Sequence, residues 1–509
     1  MNYLFIFFLV VLGLSALITY FSIKINKNAM DIVNDMGIGW NLGNTFDSYS
    51  PFEEMKTPDD QITSWGNNPP NKKIFLKIKK YGIKTIRFPV TWMHFMDNSG
   101  KVKEEWLARV KEVVLWITKA RMYCILDVHH DGSEENWLAE GMNAKQKFDY
   151  LWTQIANEFK DFNEYLIFEG MNDSVGENFD YITTLTFSQS FIDIVRNSGG
   201  NNGNRLLIIP GIKKDFDLTC TKGYKIPIDP SNKFAISVHY YIPTSFTVER
   251  DDRPWNFTDE NGEHSINPLT KWGDENDYKV MFTNFETMKE IYIKKGIPVV
   301  ITETGVLTEQ KKNPDSIRQF IFSEFIFSAD YNGVMSCLWD NSKKKYGDMN
   351  YYDRENDEWF DKQIGENFKI ISKGKFVKPS KFFEPSNIDI IRTPIPEGHM
   401  HIKIGPRENI LKVSFNVKLT TNIHSVGFGL CSINSSGDWY GDPIAGSLGE
   451  KIYDGTYTYT IDASNRDFNN YIEIQKWWGI QYITFNYLRV DFKQNYNFFD
   501  YSEYIKQVN

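Results

Sequence analysis

Eight short apolar runs separated by amphipathic segments lie between residues 37 and 340, and this alternation constrains the fold more than any other feature. Apolar runs of this length predict buried strands of a parallel sheet, and the segments between them predict helices that cover the sheet. Eight such strands are the number that closes a (β/α)8 TIM barrel, so we expect an α/β fold. The predicted strands are residues 37–43, 85–89, 124–130, 166–172, 206–210, 234–240, 298–303 and 334–340.

Helical periodicity fills most of the gaps between these runs. Apolar residues three and four positions apart predict helices at residues 73–80, 106–121, 144–159, 184–196, 280–295 and 316–328. Residues 213–230, after the fifth predicted strand, contain no clear helical pattern. We therefore assign no full helix there.

A second domain is predicted after the barrel. Four prolines between residues 378 and 396 indicate a linker, and the alternating segments that follow predict a small C-terminal β-sandwich. The predicted division is a hydrophobic leader at 1–28, the barrel at 29–375, the linker at 376–398 and the sandwich at 399–509. Trp439, Tyr440, Trp477 and Trp478 either stack on sugars, which would make this domain a carbohydrate-binding module, or are ordinary core aromatics.

The N-terminal segment predicts a membrane or export function. Residues 3–23 carry no charge and, as a helix rising about 1.5 Å per residue, span about 30 Å, enough to cross a bilayer. A cleaved signal peptide is the alternative, but the run is long and lacks a basic start, so we favour a signal anchor. Lys24 and Lys27 argue against export of the following chain. We expect an extracellular protein, either secreted or anchored to the membrane only through this segment.

Composition excludes several other classes of function. The chain has 57 basic and 66 acidic residues and no basic run, so a nucleic-acid partner is not expected. Cys124 and Cys337 lie inside apolar runs and are expected to be buried thiols rather than parts of a disulfide framework. No metal-ligand spacing is present, and neither a metal nor a cofactor is expected. The sequence gives no indication of oligomeric state.

Two of the predicted strands end on acidic side chains. Asp173 follows the fourth strand directly after Asn172, and Glu303 ends the seventh. The carboxyl ends of barrel strands meet at one mouth, so we expect the two carboxyl groups to face the same space. A carboxyl pair of this kind can flank a glycosidic bond, one group protonating the leaving oxygen while the other attacks.

A set of ordered motifs between about residues 36 and 364 resembles glycoside hydrolase family 5, and within it the endo-β-1,4-glucanase-type cellulases. Each motif alone is weak, but their order along the chain makes the resemblance specific. They include Gly39-Trp-Asn-Leu-Gly-Asn44, Thr85-Ile-Arg-Phe-Pro-Val-Thr-Trp92, Asp127-Val-His-His-Asp131, Phe168-Glu-Gly-Met-Asn-Asp173, Val238-His-Tyr-Tyr241, Ile301-Thr-Glu-Thr-Gly305 and Trp339-Asp-Asn341.

The resemblance implies roles for individual residues. Glu303 matches the nucleophile, Asp173 occupies the position of the general acid/base, and Asn172 matches the asparagine that binds the sugar 2-hydroxyl. Arg87 would lie beside Glu303 and keep it ionised, although a plain barrel salt bridge is the alternative. Four further positions match substrate-binding residues, with the tryptophan flooring the cleavage subsite: His129, His239, Tyr241 and Trp339. His130 is a further substrate-binding candidate, and its side chain faces either the cleft or the barrel wall.

Other aromatic and acidic positions have weaker assignments. Six more tryptophans either extend the floor of a chain-binding cleft or pack in the core: Trp40, Trp65, Trp92, Trp137, Trp255 and Trp272. Glu169 matches an acidic position of the family and is expected to support the site rather than to replace the acid. The implied partner is a β-glucan polysaccharide or oligosaccharide.

The chain departs from the family pattern at one position. The family reads Asn-Glu-Pro where this chain has Asn172-Asp173-Ser174. The shorter side chain would place its carboxyl about 1 to 1.5 Å short of the position from which it reaches the leaving oxygen, and a displacement of this size can cost about 10²-fold in rate. Local compensation, a water relay and loss of catalysis all remain open. We expect a retaining glycoside hydrolase, with a catalytically impaired carbohydrate-binding barrel as the alternative.

Overall fold

The computed structural model describes residues 27–376, except 51, 53, 134–135, 173–180, 221–224, 249–268, 309–311 and 344–347, and the backbone of seven strands between residues 399 and 492. The predicted N-terminal membrane segment, Asp173 and residues 377–398 of the predicted linker lie outside the described residues. Within the described part of the chain, every helix is too short or too polar to span a bilayer.

Eight parallel strands form a closed barrel, as predicted, and β1 pairs with both β2 and β8 to complete it. Each of the eight apolar runs identified in the sequence overlaps one of these strands. Strands β1 to β8 are Ile38–Asn41, Ile83–Phe88, Tyr123–Leu126, Leu166–Glu169, Leu207–Asp215, Phe234–Tyr240, Val299–Thr304 and Val334–Leu338.

Helices cover the outside of the barrel, and each of the six predicted helices overlaps an observed one. Helices α1 to α11 are Ala29–Met36, Pro58–Thr63, Lys72–Ile78, Glu104–Lys119, Lys145–Phe159, Tyr181–Asn197, Phe216–Thr219, Thr244–Thr247, Glu275–Ile291, Pro314–Asp330 and Lys362–Ser372. The prediction missed α11, although its buried Ile364, Phe368 and Ile371 have helical spacing. It also missed α1, whose start is fixed by a capping box between Asn28 and Asp31.

The inside of the barrel has an apolar layer below a charged one. Ile125 and Ile167 precede Asp127 and Glu169 by two positions, so each pair lies on the same face of its strand. Helix α1 packs its apolar side chains against this lower layer. The layer and the helix side chains that contact it include Ala29, Ile32, Val33, Met36, Tyr123, Ile125, Ile167, Ile208, Ala235, Val300, Met335 and Cys337. The charged groups are therefore at the carboxyl ends of the strands.

Strand β5 extends further than its apolar run predicts. The run ends at Pro210, but the strand continues to Asp215, with a register irregularity against β6 between these two residues. Lys213 and Lys214 have φ values of 50° and 53°, a left-handed conformation that turns the chain. This turn places the buried Lys214 beside the inner carboxylates.

The thiols in the barrel are buried, as predicted. The side chains of Cys124, Cys220 and Cys337 are completely buried. Burial raises the pKa of the Cys124 thiol well above its ordinary value. The Cys124 thiol therefore stays protonated and acts as a packing group.

Antiparallel strands follow the barrel. Strands β9, Tyr352–Asp353, and β10, Glu358–Trp359, pair within the segment between β8 and α11. Strands β11 to β17 are His399–Lys403, Ile410–Thr421, Gly427–Ile433, Trp439–Ala445, Gly455–Asp462, Tyr471–Trp478 and Ile480–Phe492. They form a four-stranded sheet ordered β11-β16-β13-β14 and a three-stranded sheet ordered β15-β12-β17. The packing of these sheets as a sandwich stays a prediction, as does the role of the aromatics at 439, 440, 477 and 478.

Candidate active site

Arg87, on β2, lies at the centre of the charged layer and is completely buried. Its guanidinium donates hydrogen bonds to Oε2 of Glu169 at 2.7 Å, to Oδ2 of Asp127 at 2.8 Å and to Oε1 of Glu303 at 2.7 Å. Burial alone would lower the pKa of Arg87, but the three carboxylates hold it well above its ordinary value. The side chain is therefore a permanent cation that joins strands β2, β3, β4 and β7.

A second cation shares this network. Lys214, carried by the extension of β5, forms an ion pair with Oε1 of Glu169, and both side chains are fully buried. Both oxygens of Glu169 accept hydrogen bonds inside the barrel, one from Lys214 and one from Arg87. These contacts are those of a residue that holds the two cations in place, as expected for Glu169. The sequence provided no signal for Lys214, since the segment around it had no recognisable pattern.

Asp127 orients a histidine at the mouth of the barrel. Its Oδ2 lies 2.8 Å from Nδ1 of His129, while Oδ1 accepts a hydrogen bond of 3.0 Å from the Val90 backbone nitrogen. Burial raises the pKa of Asp127, although Arg87 and the Val90 nitrogen act in the opposite direction. Burial also lowers the pKa of His129, His130 and His239 well below the usual value. The three imidazoles are therefore neutral at neutral pH.

Glu303 lies near the end of β7 and is 8% exposed. Besides the bond from Arg87 to Oε1, its Oε2 accepts a hydrogen bond of 3.2 Å from the Tyr241 hydroxyl. Nε2 of His239 lies 3.5 Å from Oε1. Both oxygens are therefore positioned by neighbours from β2 and from the end of β6. A carboxylate held this rigidly and still accessible at the mouth is suited to nucleophilic attack.

Asn172 has a defined amide orientation. Its Oδ1 accepts a hydrogen bond of 2.6 Å from Nη2 of Arg87, and its backbone nitrogen donates to the Val128 carbonyl at 2.8 Å. With the amide oxygen engaged in this way, Nδ2 is the group available to donate to a ligand hydroxyl. The position of the neighbouring Asp173 lies outside the described residues, so the predicted pairing of Asp173 with Glu303 stays a prediction.

A continuous group of rings, which we call the ring set, leads away from this centre. It consists of Trp339, His129, His130, Tyr49 and Trp65. The half-buried Trp339 stacks on His129 with centroids 5.6 Å apart and an interplanar angle of 5°. His130 packs edge-on against His129 at 4.5 Å and lies 5.2 Å from Tyr49 and 5.4 Å from Trp65. Flat rings of this kind offer apolar area to pyranose faces. Tyr49 was not among the predicted site residues, because a lone tyrosine in a loop carries no distinguishing pattern.

The remaining tryptophans divide into core and surface groups. Trp40, Trp92 and Trp272 are buried among the core residues, so they do not extend the cleft floor. Trp65 and Trp137 are half-buried and retain accessible ring area. Trp255 lies outside the described residues.

One group of side chains has the composition of a metal site. Asp47, His129 and His130 each bring a ligating atom within 4.8 Å of the others. Asp47 accepts hydrogen bonds from the backbone nitrogens of Asn44 at 2.9 Å and Thr45 at 2.7 Å. These bonds account for its burial without an ion, and the two histidines belong to the ring set beside Trp339. We therefore assign the group to the architecture of the cleft.

Comparisons with known proteins agree with this arrangement. Residues 44–345 match the family described as Cellulase (glycosyl hydrolase family 5). Endoglucanase A of Clostridium longisporum is 33% identical over 331 residues, covering 62% of this chain and 60% of that protein. Endoglucanase A of Paenibacillus barcinonensis is 31% identical over 342 residues, covering 62% of this chain and 82% of that protein.

Solved structures with the same barrel include one relative of higher identity. A GH5-4 broad specificity endoglucanase from an uncultured bovine rumen ciliate is 55% identical with a TM-score of 0.67, covering 69% of this chain and 99% of that one. A GH5 family lichenase from Caldicellulosiruptor sp. F32 is 28% identical with a TM-score of 0.60, covering 68% of this chain and 96% of that one. The family match spans more than half of the sequence and contains the buried arginine, the strand-end glutamate and the ring set. This chain therefore belongs to glycosyl hydrolase family 5.

Proposed function

We propose that this chain is a retaining, endo-acting β-1,4-glucanase in which Glu303 is the nucleophile. The observation that supports this most directly is the geometry of Glu303, whose two oxygens accept hydrogen bonds from Arg87 at 2.7 Å and from Tyr241 at 3.2 Å. The two donors offset the cost of burying this carboxylate and fix its orientation towards the barrel mouth, where a nucleophile must be placed accurately.

The proposed reaction proceeds in two displacements. A Glu303 oxygen forms a bond to the anomeric carbon while the glycosidic bond breaks, and Asp173 gives its proton to the leaving oxygen. In the second step Asp173 removes a proton from water, which attacks the anomeric carbon and releases Glu303. Two inversions return the β configuration, so the product anomer reports the mechanism directly.

Arg87 and its neighbours would stabilise this sequence electrostatically. The guanidinium favours the ionised form of Glu303 before attack, and the partners Asp127 and Glu169 hold it in place without reorganisation. The Asn172 amide nitrogen would donate to the sugar 2-hydroxyl, a bond that strengthens as charge develops on the ring. Trp339 would support the apolar face of the unit being cleaved.

The activities named for the relatives guide the choice of substrate. They include endoglucanases, a lichenase, a xyloglucan-specific endo-β-1,4-glucanase and broad specificity enzymes. The shared feature is a glucan backbone containing β-1,4 bonds, which we propose as the substrate class. A polymer of this kind is also consistent with the extracellular location proposed from the N-terminal segment.

A second candidate function follows from Asp173 itself. Because its carboxyl is one methylene shorter than the family glutamate, proton transfer would slow by about 10²-fold or more if the backbone does not compensate. The chain would then be a barrel that binds glucan without efficient turnover. Glu303, Arg87 and Tyr241 would still form the same contacts in that case.

One assay separates the two candidates. Release of reducing ends from soluble cellulose, mixed-linkage glucan, xyloglucan and mannan is measured with the unmodified protein, Asp173→Glu and Glu303→Gln. Turnover by the unmodified protein that disappears in Glu303→Gln supports the hydrolase. An inert unmodified protein together with an active Asp173→Glu variant favours the binding protein. Turnover that survives Glu303→Gln contradicts the proposed nucleophile.

A further inference from the structure

A pocket on the rim of the barrel has no role in the chemistry described so far. We call it the rim pocket; it has a volume of about 440 Å³, and its lining includes Asn67, Asn68, Asn71, Lys343, Glu355 and Phe360. Asn71 is the N-cap of α3, and Phe360 immediately precedes Asp361, the N-cap of α11. Helices of a (β/α)8 barrel begin at the mouth where the strands end, so the rim pocket lies on the same face as Glu303.

The wall of the rim pocket is joined to the loop that carries the cleft floor. The Asn67 amide nitrogen donates to the carbonyl of Asn44 at 2.8 Å and to the carbonyl of Asn341 at 3.0 Å. Asn341 lies two residues after Trp339 in the chain. Asn67 therefore connects the β1 loop to the β8 loop between the ring set and the rim pocket.

Arg354 makes this wall rigid. Its guanidinium donates to the Gly43 carbonyl at 2.7 Å and to the Asp340 carbonyl at 2.5 Å, and it lies 4.9 Å from the ring centroid of Trp40. Only 8% of the Arg354 side chain is exposed. This wall is thus held in place by contacts within the protein, which lowers the ordering cost of binding a ligand against it.

The accessible groups of the rim pocket suit a neutral polyol with an apolar face. Phe360 is 38% exposed, a large aromatic surface to leave in contact with water. The Asn68 amide donates to Oε1 of Glu355 at 2.8 Å, so the pair presents fixed acceptors and a remaining amide proton. Lys343 and Arg354 are balanced by Asp353 and Glu355 in the lining. A balanced set of charges favours a sugar over a phosphate or another ion.

We propose that the rim pocket is a distal subsite that binds a glucosyl unit remote from the scissile bond, on the same glucan chain that lies over Trp339. This inference rests on the proposed function, because it requires a β-1,4-glucan in the cleft. Its consequence is that affinity rises with chain length until the glucan reaches Phe360 and the Asn68–Glu355 pair.

Binding to the Glu303→Gln background tests the proposal without turnover. Isothermal titration calorimetry compares a β-1,4-gluco-oligosaccharide of three units with one of six units and with soluble cellulose. We expect Phe360→Ala to reduce the preference for the long ligands over the short one by about five- to tenfold, since it removes one stacking surface. Asn68→Ala should reduce the same ratio through a different contact.

Ile228→Ala serves as the matched control. Ile228 is 78% exposed, and its backbone nitrogen and carbonyl bond the side chain of Gln189, midway along α6 on the outside of the barrel. Its truncation should therefore leave the ratio unchanged. An unchanged ratio in both Phe360→Ala and Asn68→Ala overturns the rim-pocket proposal. Sugar binding that persists in Trp339→Ala but disappears in Phe360→Ala also overturns it, because the pocket would then act independently of the cleft. Loss of the proposed hydrolase function is detected separately, as absence of turnover by the unmodified protein.

Discussion

Nη1 of Arg87 lies 2.7 Å from Oε1 of Glu303, which joins β2 to β7 across 216 residues of sequence by a buried ion pair. Glu303 is 8% exposed and Arg87 is completely buried, so the cation is hidden while the carboxylate edge remains reachable from the mouth. The proposed nucleophile requires this asymmetry, because only a carboxylate with an accessible edge can reach a substrate. We therefore expect removal of Glu303 to affect turnover and removal of Arg87 to affect stability.

Replacing Glu303 by glutamine should abolish turnover and preserve the fold. Without the carboxylate no covalent intermediate can form, so we expect kcat to fall by at least about a thousandfold. Arg87 keeps Asp127 and Glu169 as partners, and the thermal midpoint should change little. Steady-state kinetics and thermal unfolding measure both effects. Glu290→Gln, at an exposed position on α9, is the control and should retain full turnover. Wild-type rates in Glu303→Gln would contradict the assignment.

Replacing Arg87 by methionine should destabilise the barrel strongly. The change leaves three carboxylates buried without their shared cation, and breaking a buried pair in this way costs about 3–5 kcal/mol. Urea unfolding measures the loss. Arg318 is the matched control, because it pairs with Asp315 and Asp361 at the surface and is 29% exposed, so Arg318→Met should cost about 1 kcal/mol or less. Equal losses of unfolding free energy in Arg87→Met and Arg318→Met would show that the buried network stabilises the protein no more than a surface ion pair does.

The Asn172 amide should act through the sugar 2-hydroxyl. Its oxygen is held by Arg87 at 2.6 Å, so its nitrogen is the expected donor to the substrate. We expect Asn172→Ala to lower kcat/KM about ten- to hundredfold on an aryl cellobioside. On the corresponding 2-deoxy substrate the same substitution should have little further effect, because the contact is already absent. If Asn172→Ala lowers kcat/KM on the 2-deoxy substrate by the same factor as on the parent substrate, the proposed contact between Asn172 and the 2-hydroxyl is refuted. Asn157→Ala, at an exposed position on α5, should give no loss on either substrate.

A buried carboxyl outside the site should make stability depend on pH. Glu324, on α10, is completely buried beside Ser328 and Ser336, and burial raises its pKa to about 8 although the two hydroxyls lower it. The folded chain therefore keeps a proton that the unfolded chain releases near pH 4.5. Between about pH 4.5 and pH 8 the folded state binds more protons, so the free energy of unfolding should fall as pH rises, by about 1.4 kcal/mol per pH unit.

Glu324→Gln should remove this dependence. Urea unfolding at pH 5, 6, 7 and 8 gives the difference in stability between the variant and the unmodified protein, and contributions from other titrating groups cancel in that difference. We expect the variant to gain relative stability steadily up to about pH 8. Glu366→Gln, 53% exposed on α11, is the control and should show a constant difference. A constant difference for Glu324→Gln would mean that this carboxyl is ionised in the folded protein.

The barrel strands were predictable because each carries its own signal. Runs such as Phe234–Tyr240 and Val334–Leu338 are apolar and short, and a strand buried on both faces needs little else. Strand β5 was predicted only to Pro210, since the following Gly-Ile-Lys-Lys-Asp sequence has no apolar run. Its continuation depends on pairing near His239 of β6, which is a contact between distant parts of the chain.

The same distinction applies to the site. Glu303, Arg87, Asn172 and Trp339 were recognisable because they lie in motifs at strand ends. Lys214 was not, because a lysine in an irregular segment is usually a solvated surface group. Its burial beside Glu169 depends on the left-handed turn at residues 213 and 214. Tyr49 belongs to the ring set because the loop after β1 packs against His130, which no local pattern in the sequence indicates.

The sequence by itself determined the number of barrel strands, the identity of the residues at their ends and the family to which the chain belongs, because these depend on local periodicity and on motifs of a few residues. Only the tertiary structure decided that one guanidinium serves three carboxylates, that Lys214 neutralises part of their charge and that a rigid pocket opens beside the Trp339 loop. These relationships join β2, β5, β7 and the loops after β1 and β8. They arise from closure of the barrel, which brings together groups that no local pattern relates.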